Sequence, residues 1–345
     1  MMLRLLSRRD LERLLTPASA LEALEAAFRA AAVGRVAAPV RLPVEVGADG
    51  RLLYMPAVLR TEAGSGAAGA KVVGVFPGNP SRGLPLIHAV YLLHDAETGR
   101  PAALLEAGWL TGLRTAAASA LAATRLARPD ASTLALLGAG VQAAFHLEAM
   151  LGVRPIRRVL IAGRSRARVE QLAVDARTRH PGLEVEVAAS PDAAVAEADL
   201  VVAATTSRTP VLRGATLRPG AFVALVGAFT PDAREADTEA ICRSRVYVDT
   251  YEGAMAEAGD LLIPIAEGAL AREGIVGDLA ALIAGIVPGR RSPDEITLFK
   301  SVGAAIEDLA VAMLAVQLAE ARGVGTLWSQ EGDSGPSLAV PPLPS

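Results

Sequence analysis

The chain has 345 residues, 52% of them hydrophobic, 21% charged and 3% aromatic, with a formal net charge of −3. That supplies a core for two domains or one large one, while the near-balanced charge gives nucleic acid no electrostatic attraction. No apolar run approaches the roughly 18 residues of a membrane span, charges interrupt the first ten residues where a secretory leader is apolar, and the single cysteine, Cys242, permits no internal disulfide, so no membrane partner and a cytoplasmic protein are expected.

Leu14, Leu21, Leu24, Ala27 and Phe28 recur at helical spacing and predict one amphipathic helix over 10–35. Between Ala38 and Leu105, apolar segments at 41–46, 51–55, 69–76 and 88–93 are separated by Gly, Pro and Asn turns. Four strands of an antiparallel sheet are expected there. An alanine-rich helix follows at 111–127. From Ser132 onward, strands near 132–138, 157–162, 183–188, 199–203, 221–226 and 245–248 alternate with helices. That is the pattern of a parallel sheet covered on both faces. Cys242, after a helical stretch, reads as a small buried hydrophobe. A last helix is expected to begin near Asp294 and run to about Arg322, and the proline-rich stretch 331–345 is expected to be disordered. His88, His94, His146 and His180 show no metal-ligand spacing, so no metal is expected.

The sharpest motif lies where the second strand run begins. The apolar run 132–137 leads into Gly138-Ala139-Gly140-Val141-Gln142-Ala143, a G-x-G-x-x-A turn between strand and helix. Gly138 permits the tight turn, Gly140 lets a pyrophosphate approach the backbone, and Ala143 lets the helix lie close to the sheet. The helix N-terminus then offers free N–H groups to phosphate. After the next strand, enzymes that use NAD usually place an acid to hold the ribose 2′-hydroxyl. Here Gly163-Arg164-Ser165-Arg166 stands instead, and a guanidinium fork suits a 2′-phosphate. NADP(H) is the expected cofactor. Polar clusters at Thr205-Thr206-Ser207 and in the stretch Val226–Thr230 fall at later strand ends, where such a sheet binds its cofactor.

Arg41, Lys71 and Arg114 each sit in or beside an apolar segment, where an unpaired charge is costly. They either snorkel or pair with acids such as Glu106 or Asp95, or they converge on a cleft and hold an anion, most simply a carboxylate. Further on, Ser301, Val302 and Gly303 form a small-residue turn within the polar string 294–308.

Taken together these motifs resemble the ornithine cyclodeaminase/mu-crystallin family, over about 35–322. The matching residues are Lys71 with Phe76-Pro77-Gly78-Asn79, the stretch 110–117 around Arg114, the glycine turn 138–143, Val248-Asp249-Thr250 and the stretch 296–303. The resemblance implies an α/β homodimer, with a Rossmann-type doubly wound sheet beside an α+β substrate-binding and dimerisation domain. The latter would span 1–115 and be completed by a helix at 305–325, with the cofactor domain at 116–304. It also implies that Arg41, Lys71 and Arg114 hold a substrate carboxylate, Lys71 and Arg114 being catalytic. Val141, Gln142, Thr205 and Ser301 would contact the cofactor, and Val302 the substrate. The departures are informative. Phe229 stands where cyclodeaminases carry a water-activating aspartate, and Leu53 where they carry a glutamate. A phenyl ring neither takes a proton nor pairs with ammonium. The form Gly227-Ala228-Phe229-Thr230-Pro231 is similar instead to the ketimine reductase branch. The leading expectation is therefore NADPH-dependent reduction of an imino acid, Δ1-pyrroline-2-carboxylate or Δ1-piperideine-2-carboxylate, to L-proline or L-pipecolate. The alternatives are an alanine-type or opine-type dehydrogenase, an ornithine cyclodeaminase, and a crystallin-like protein that binds NADPH without turnover.

Overall fold

The computed structural model describes residues 2–60 and 66–329; the 331–345 stretch and its expected disorder lie outside the described residues. In chain order the first part contains β1 (Met2–Leu6), α1 (Arg8–Leu14), α2 (Pro17–Ala32), β2 (Val36–Ala37), β3 (Leu42–Val46), β4 (Gly50–Arg60), β5 (Gly66–Val75), β6 (Ile87–Asp95), β7 (Pro101–Glu106) and α3 (Gly108–Leu126). The single helix expected over 10–35 is thus two. Thr16 and Ser19 form a reciprocal capping box and Pro17 occupies the first helical turn, where its missing N–H costs nothing. The periodic apolar residues on both sides hid that break.

The second part runs β8 (Thr133–Leu137), α4 (Val141–Leu151), β9 (Arg158–Ala162), α5 (Arg166–Arg179), β10 (Glu184–Val187), α6 (Pro191–Glu197), β11 (Leu200–Ala203), β12 (Phe222–Leu225), α7 (Thr238–Cys242), β13 (Arg245–Val248), α8 (Tyr251–Glu257), α9 (Gly259–Ala266), β14 (Ile275–Asp278), α10 (Leu279–Ile283) and β15 (Thr297–Lys300). α11 (Ala305–Arg322) and β16 (Thr326–Ser329) close the described chain. Cys242 ends α7 exposed rather than buried, its thiol 3.4 Å from the Ala269 carbonyl oxygen.

The two sheets differ in kind. The first has the order β16-β1-β7-β6-β5-β4, with β2 and β3 both on the far edge of β4. It is antiparallel apart from the β1–β7 pair. It therefore holds more strands than the four expected, because β1, β2, β7 and β16 are added at its edges. The second sheet is wholly parallel, in the order β10-β9-β8-β11-β12-β15-β13-β14. All six strands expected after Ser132 are present. The helix expected from Asp294 to about Arg322 begins only at Ala305 and ends at Arg322, because Thr297, Leu298, Phe299 and Lys300 are a fully buried strand wedged between β12 and β13. A run buried on both faces has no alternation and reads like helix.

α11 packs against α2, α3, β4 and β5, so the last helix serves the first sheet. α3 joins the two sheets and is buried over most of its length. A Cβ on Gly112 would overlap the Phe145 ring, which brings α3 against α4, and Trp109 meets the same ring edge-on at 5.7 Å. Among the described residues no helix is long and apolar enough to cross a membrane.

Candidate active site

The C-terminal ends of β8, β11, β12 and β15 lie side by side and carry the expected cofactor residues. Gly138 has φ +107°, and a Cβ there would stand 2.6 Å from the Ala204 carbonyl oxygen, so only glycine fits. Gly140, in contrast, faces open space, with nothing within 4 Å of where a Cβ would be. It caps α4 without a side-chain hydrogen bond, leaving the first N–H groups of the helix unused. Val141 is exposed, and the Gln142 Oε1 is buried with no hydrogen-bond partner. These features fit a dinucleotide pyrophosphate. At the end of β9, Arg164, Ser165 and Arg166 are all exposed. Arg166 pairs with Glu170 at 2.7 Å, Ser165 caps α5 without using its hydroxyl, and Arg164 carries no ion pair among the described residues.

The ends of β11 and β12, at Thr205 and at Gly227 beside Val226, are held by Glu235. The carboxylate of Glu235 accepts from the Thr205 N–H at 2.6 Å and hydroxyl at 2.8 Å, and from the Gly227 N–H at 2.6 Å. The Glu235 and Ala236 N–H groups in turn donate to Asp260 at 2.7 and 3.0 Å. Lys300 joins that ring, 2.9 Å from Asp260 and donating to the Ala228 carbonyl oxygen at 2.6 Å. Glu235, Asp260 and Lys300 are all fully buried. The Ser301–Gly303 turn is fixed similarly. One oxygen of buried Asp249 accepts from the Ser301 hydroxyl at 2.9 Å, the Val302 N–H at 2.8 Å and the Gly303 N–H at 2.6 Å.

Lys71 and Arg114 converge between the two sheets. The Lys71 ammonium donates to Asp308 at 2.8 Å and lies 3.3 Å from the Thr111 hydroxyl. Arg114 donates to Asp308 at 3.0 Å and to Glu307 at 2.5 Å. Their partners are thus two acids in the first turn of α11, not Glu106 or Asp95. Those two cap local turns: Glu106 at the Gly108 and Trp109 N–H groups, Asp95 at the Glu97 and Thr98 N–H groups. The same argument that flagged the cations, a charge inside an apolar run, would have found Glu307 and Asp308. Burial, reinforced by Arg114, lowers the Lys71 pKa to about 8. Burial likewise pushes Glu307 up to about 7 against the pull of Arg114, and its Oε1 has no hydrogen-bond partner.

Beside this cluster is a pocket of about 140 Å³, lined by residues including Arg41, Met55, Glu252, Glu257, Gly303 and Ala305. Gly303, at φ +90°, lies directly over Arg114; a Cβ there would be 2.8 Å from the guanidinium. Met55 is the cross-strand partner of Lys71. Val302 is buried at the same turn, and Phe229 is half-buried after β12. Arg41 stands on another side of the pocket. Its Nε donates to Glu257 at 2.8 Å, Nη2 donates to the second oxygen of Glu257, and its guanidinium lies 5.5 Å from the centre of the Phe229 ring. The expected site residues therefore form two groups, the cofactor set along the strand ends and the cations around the pocket. Arg41 is bound to a carboxylate of the chain itself.

Comparison with known proteins identifies the family. The ornithine cyclodeaminase/mu-crystallin family model matches residues 2–322. Delta(1)-pyrroline-2-carboxylate reductase of Paracoccus denitrificans is 42% identical over 247 residues, 71% of this chain and 77% of that one. The structure of Thermococcus litoralis Delta(1)-pyrroline-2-carboxylate reductase with NADH and L-proline superposes with a TM-score of 0.90 at 39% identity, covering 94% of this chain and 99% of the other. An archaeal alanine dehydrogenase dimer with bound NAD reaches 0.89 at 33% identity over 96% and 100% of the two chains. The chain belongs to the ornithine cyclodeaminase/mu-crystallin family.

Proposed function

From this family membership and the buried cations beside the pocket, we propose that the protein is an oxidoreductase reducing the C=N bond of a small cyclic imino acid, Δ1-pyrroline-2-carboxylate or its six-membered homologue. The observation that carries the reading is the 140 Å³ pocket with Arg114 immediately behind Gly303 and Lys71 beside the lining residue Met55 on the neighbouring strand. A cavity of about 150 Å³ holds a benzene-sized ring, and the two cations suit one carboxylate.

A nicotinamide dinucleotide in the crevice supplies hydride when bound. Lys71 and Arg114 orient the carboxylate, so that the imine carbon faces that crevice. The ring carbon gains hydride, the nitrogen gains a proton, and C=N becomes CH–NH. Lys71, with its pKa lowered to about 8, is the group able to give up a proton from Nζ near neutrality. Phe229 and Val302 present apolar surface. Neither acid near Phe229 stands in for a cyclodeaminase base. Glu235 is buried and held by main-chain donors, while Asp232 is exposed and tied to Arg208 and Thr230. Arg164, without an ionic partner, and the absence of an acid after β9 support NADPH over NADH. The dimeric archaeal alanine dehydrogenase supports reading the protein as a homodimer, and the single cysteine supports a reducing, cytoplasmic setting.

Steady-state rates with each reduced cofactor test the proposal, using both cyclic imino acids and pyruvate with ammonia, with L-ornithine and NAD run in parallel. Reduction of a cyclic imino acid at the highest kcat/KM, with no ammonia from ornithine, is expected. A faster reaction with pyruvate and ammonia transfers the assignment to alanine dehydrogenase. Proline and ammonia from ornithine at a comparable rate overturns it.

A further inference from the structure

Each cation around the pocket is met by a carboxylate of the chain itself: Arg41 by Glu257, Lys71 by Asp308, and Arg114 by Glu307 and Asp308. Glu257 spends both oxygens on Arg41, and Asp308 has both within reach of Lys71. Glu307 is different. It is fully buried, only its Oε2 is bonded, to Arg114 at 2.5 Å, and its Oε1 stands without a hydrogen-bond partner. A bare oxygen of an ionised carboxylate is costly in the interior, and a proton on the group lowers that cost. The groups facing Glu307 are Arg114 on α3, Asp308 on its own helix and Asp249 after β13. Lys71 on β5 and Tyr91 on β6 bear on it through Asp308, and Arg41 through Lys71. α1, α2 and β4, also packed on α11, bury only apolar residues and glycine.

We propose that Glu307 is a positioning residue that takes up a proton when the substrate's carboxylate binds at Arg114, so that the cluster receives the anion without gaining negative charge. Gly303 lines the pocket and lies over the Arg114 Nη atoms, and Glu307 is bonded to one of them, so the acid and a bound anion share a single guanidinium. A new negative charge there favours the neutral form of Glu307, which burial has already brought to a pKa of about 7. The neutral acid still accepts from Arg114, which keeps the guanidinium in place while its charge turns to the ligand. This deepens the proposed imine reduction and rests on it.

The test is calorimetric titration of the full chain, saturated with NADPH, using pyrrole-2-carboxylate as probe, a ring carboxylate with no imine to reduce. Repeating it at pH 7 in buffers of different ionisation enthalpy counts the protons taken up. The wild type should take up about half a proton per site and Glu307→Gln about a tenth or less, because Lys71, with a pKa of about 8, is already mostly protonated at pH 7. From pH 6 to pH 8 the wild-type affinity should fall about tenfold more than that of Glu307→Gln. Equal proton uptake in the two proteins overturns the inference, and so does none in the wild type, a result that needs no variant to fold. A wild type that neither binds the probe nor reduces the ring imine sinks the underlying assignment instead, so the two failures are distinguishable.

Discussion

Two buried charge clusters lie at this site, and they are built differently. In the Glu235–Asp260–Lys300 cluster the carboxylates accept largely from main-chain N–H groups, at the ends of β11 and β12 and around residue 235. In the Lys71–Arg114–Glu307–Asp308 cluster the bonds run from side chain to side chain, and the Glu307 Oε1 has no hydrogen-bond partner. Main-chain donors cannot leave without unfolding a strand end, so the first cluster is scaffold. Side-chain pairs can exchange partners, so the second is able to take up a ligand's carboxylate. Charge counting agrees. Glu307, Asp308 and nearby Asp249 face Lys71 and Arg114, three acids against two bases, and an arriving anion is accommodated most easily if Glu307 carries a proton.

The sharpest break of this comparison pairs Lys71→Met with Lys300→Met. Lys71→Met is expected to lower kcat/KM at least about 100-fold, since a hydrogen bond to a charged group contributes roughly 1.5–3 kcal/mol before any loss of proton transfer. Both variants strand a buried carboxylate and should destabilise by about 3–5 kcal/mol, but Lys300→Met should leave kcat/KM per folded molecule within a few fold of the wild type. Chemical denaturation and kinetics per folded molecule, measured on both variants, separate the two roles. Equal kinetic losses in the two would erase the distinction.

Next in size is a pH effect confined to the side-chain cluster. Glu307 has its folded pKa raised from 4.5 to about 7. The folded state therefore binds the extra proton, and its contribution favours folding below pH 4.5 and is lost as pH rises towards 7. Relative to Glu307→Gln, the wild type should lose up to about 3 kcal/mol of stability between pH 5 and pH 8. Parallel unfolding curves for the two proteins at several pH values check this, and a constant difference across that range would place the proton elsewhere.

The smallest expected effect tests the cofactor end. Arg164→Ala should weaken NADPH about tenfold while leaving NADH within twofold, as expected for one exposed contact to a 2′-phosphate. Direct binding titrations with both dinucleotides measure it. A wild type that binds the two equally overturns the NADPH preference.

Legibility in the sequence followed the range of the interaction. The glycine turn announced itself because Gly138, Gly140 and Ala143 act within six residues, between an apolar strand and a helix. Lys71 and Arg114 stood out as charges among apolar neighbours, and Glu307 and Asp308 carry the same signal within an apolar helix. β15 was hidden because a short strand buried on both faces runs into the apolar helix that follows it. Glu257 left no local trace, since its partner Arg41 is 216 residues away. Asp249 was visible only as a motif position; its part in holding the Ser301–Gly303 turn depends on the neighbouring β13 and β15.

The pairing of β1 with β16 has a consequence for how this protein is made. Residues 2–5 bond to residues 326–329, and Arg4 donates to the Val324 carbonyl oxygen 320 residues away. On the ribosome, β1 emerges long before β7, its parallel partner, and longer still before β16. Its apolar residues must wait through the synthesis of nearly everything else. Contacts of such long sequence separation form late and slowly, and until then β1 offers an unpaired edge to any neighbouring chain. A nascent chain released before residue 326 leaves β1 in place of β16 as the edge strand of the first sheet.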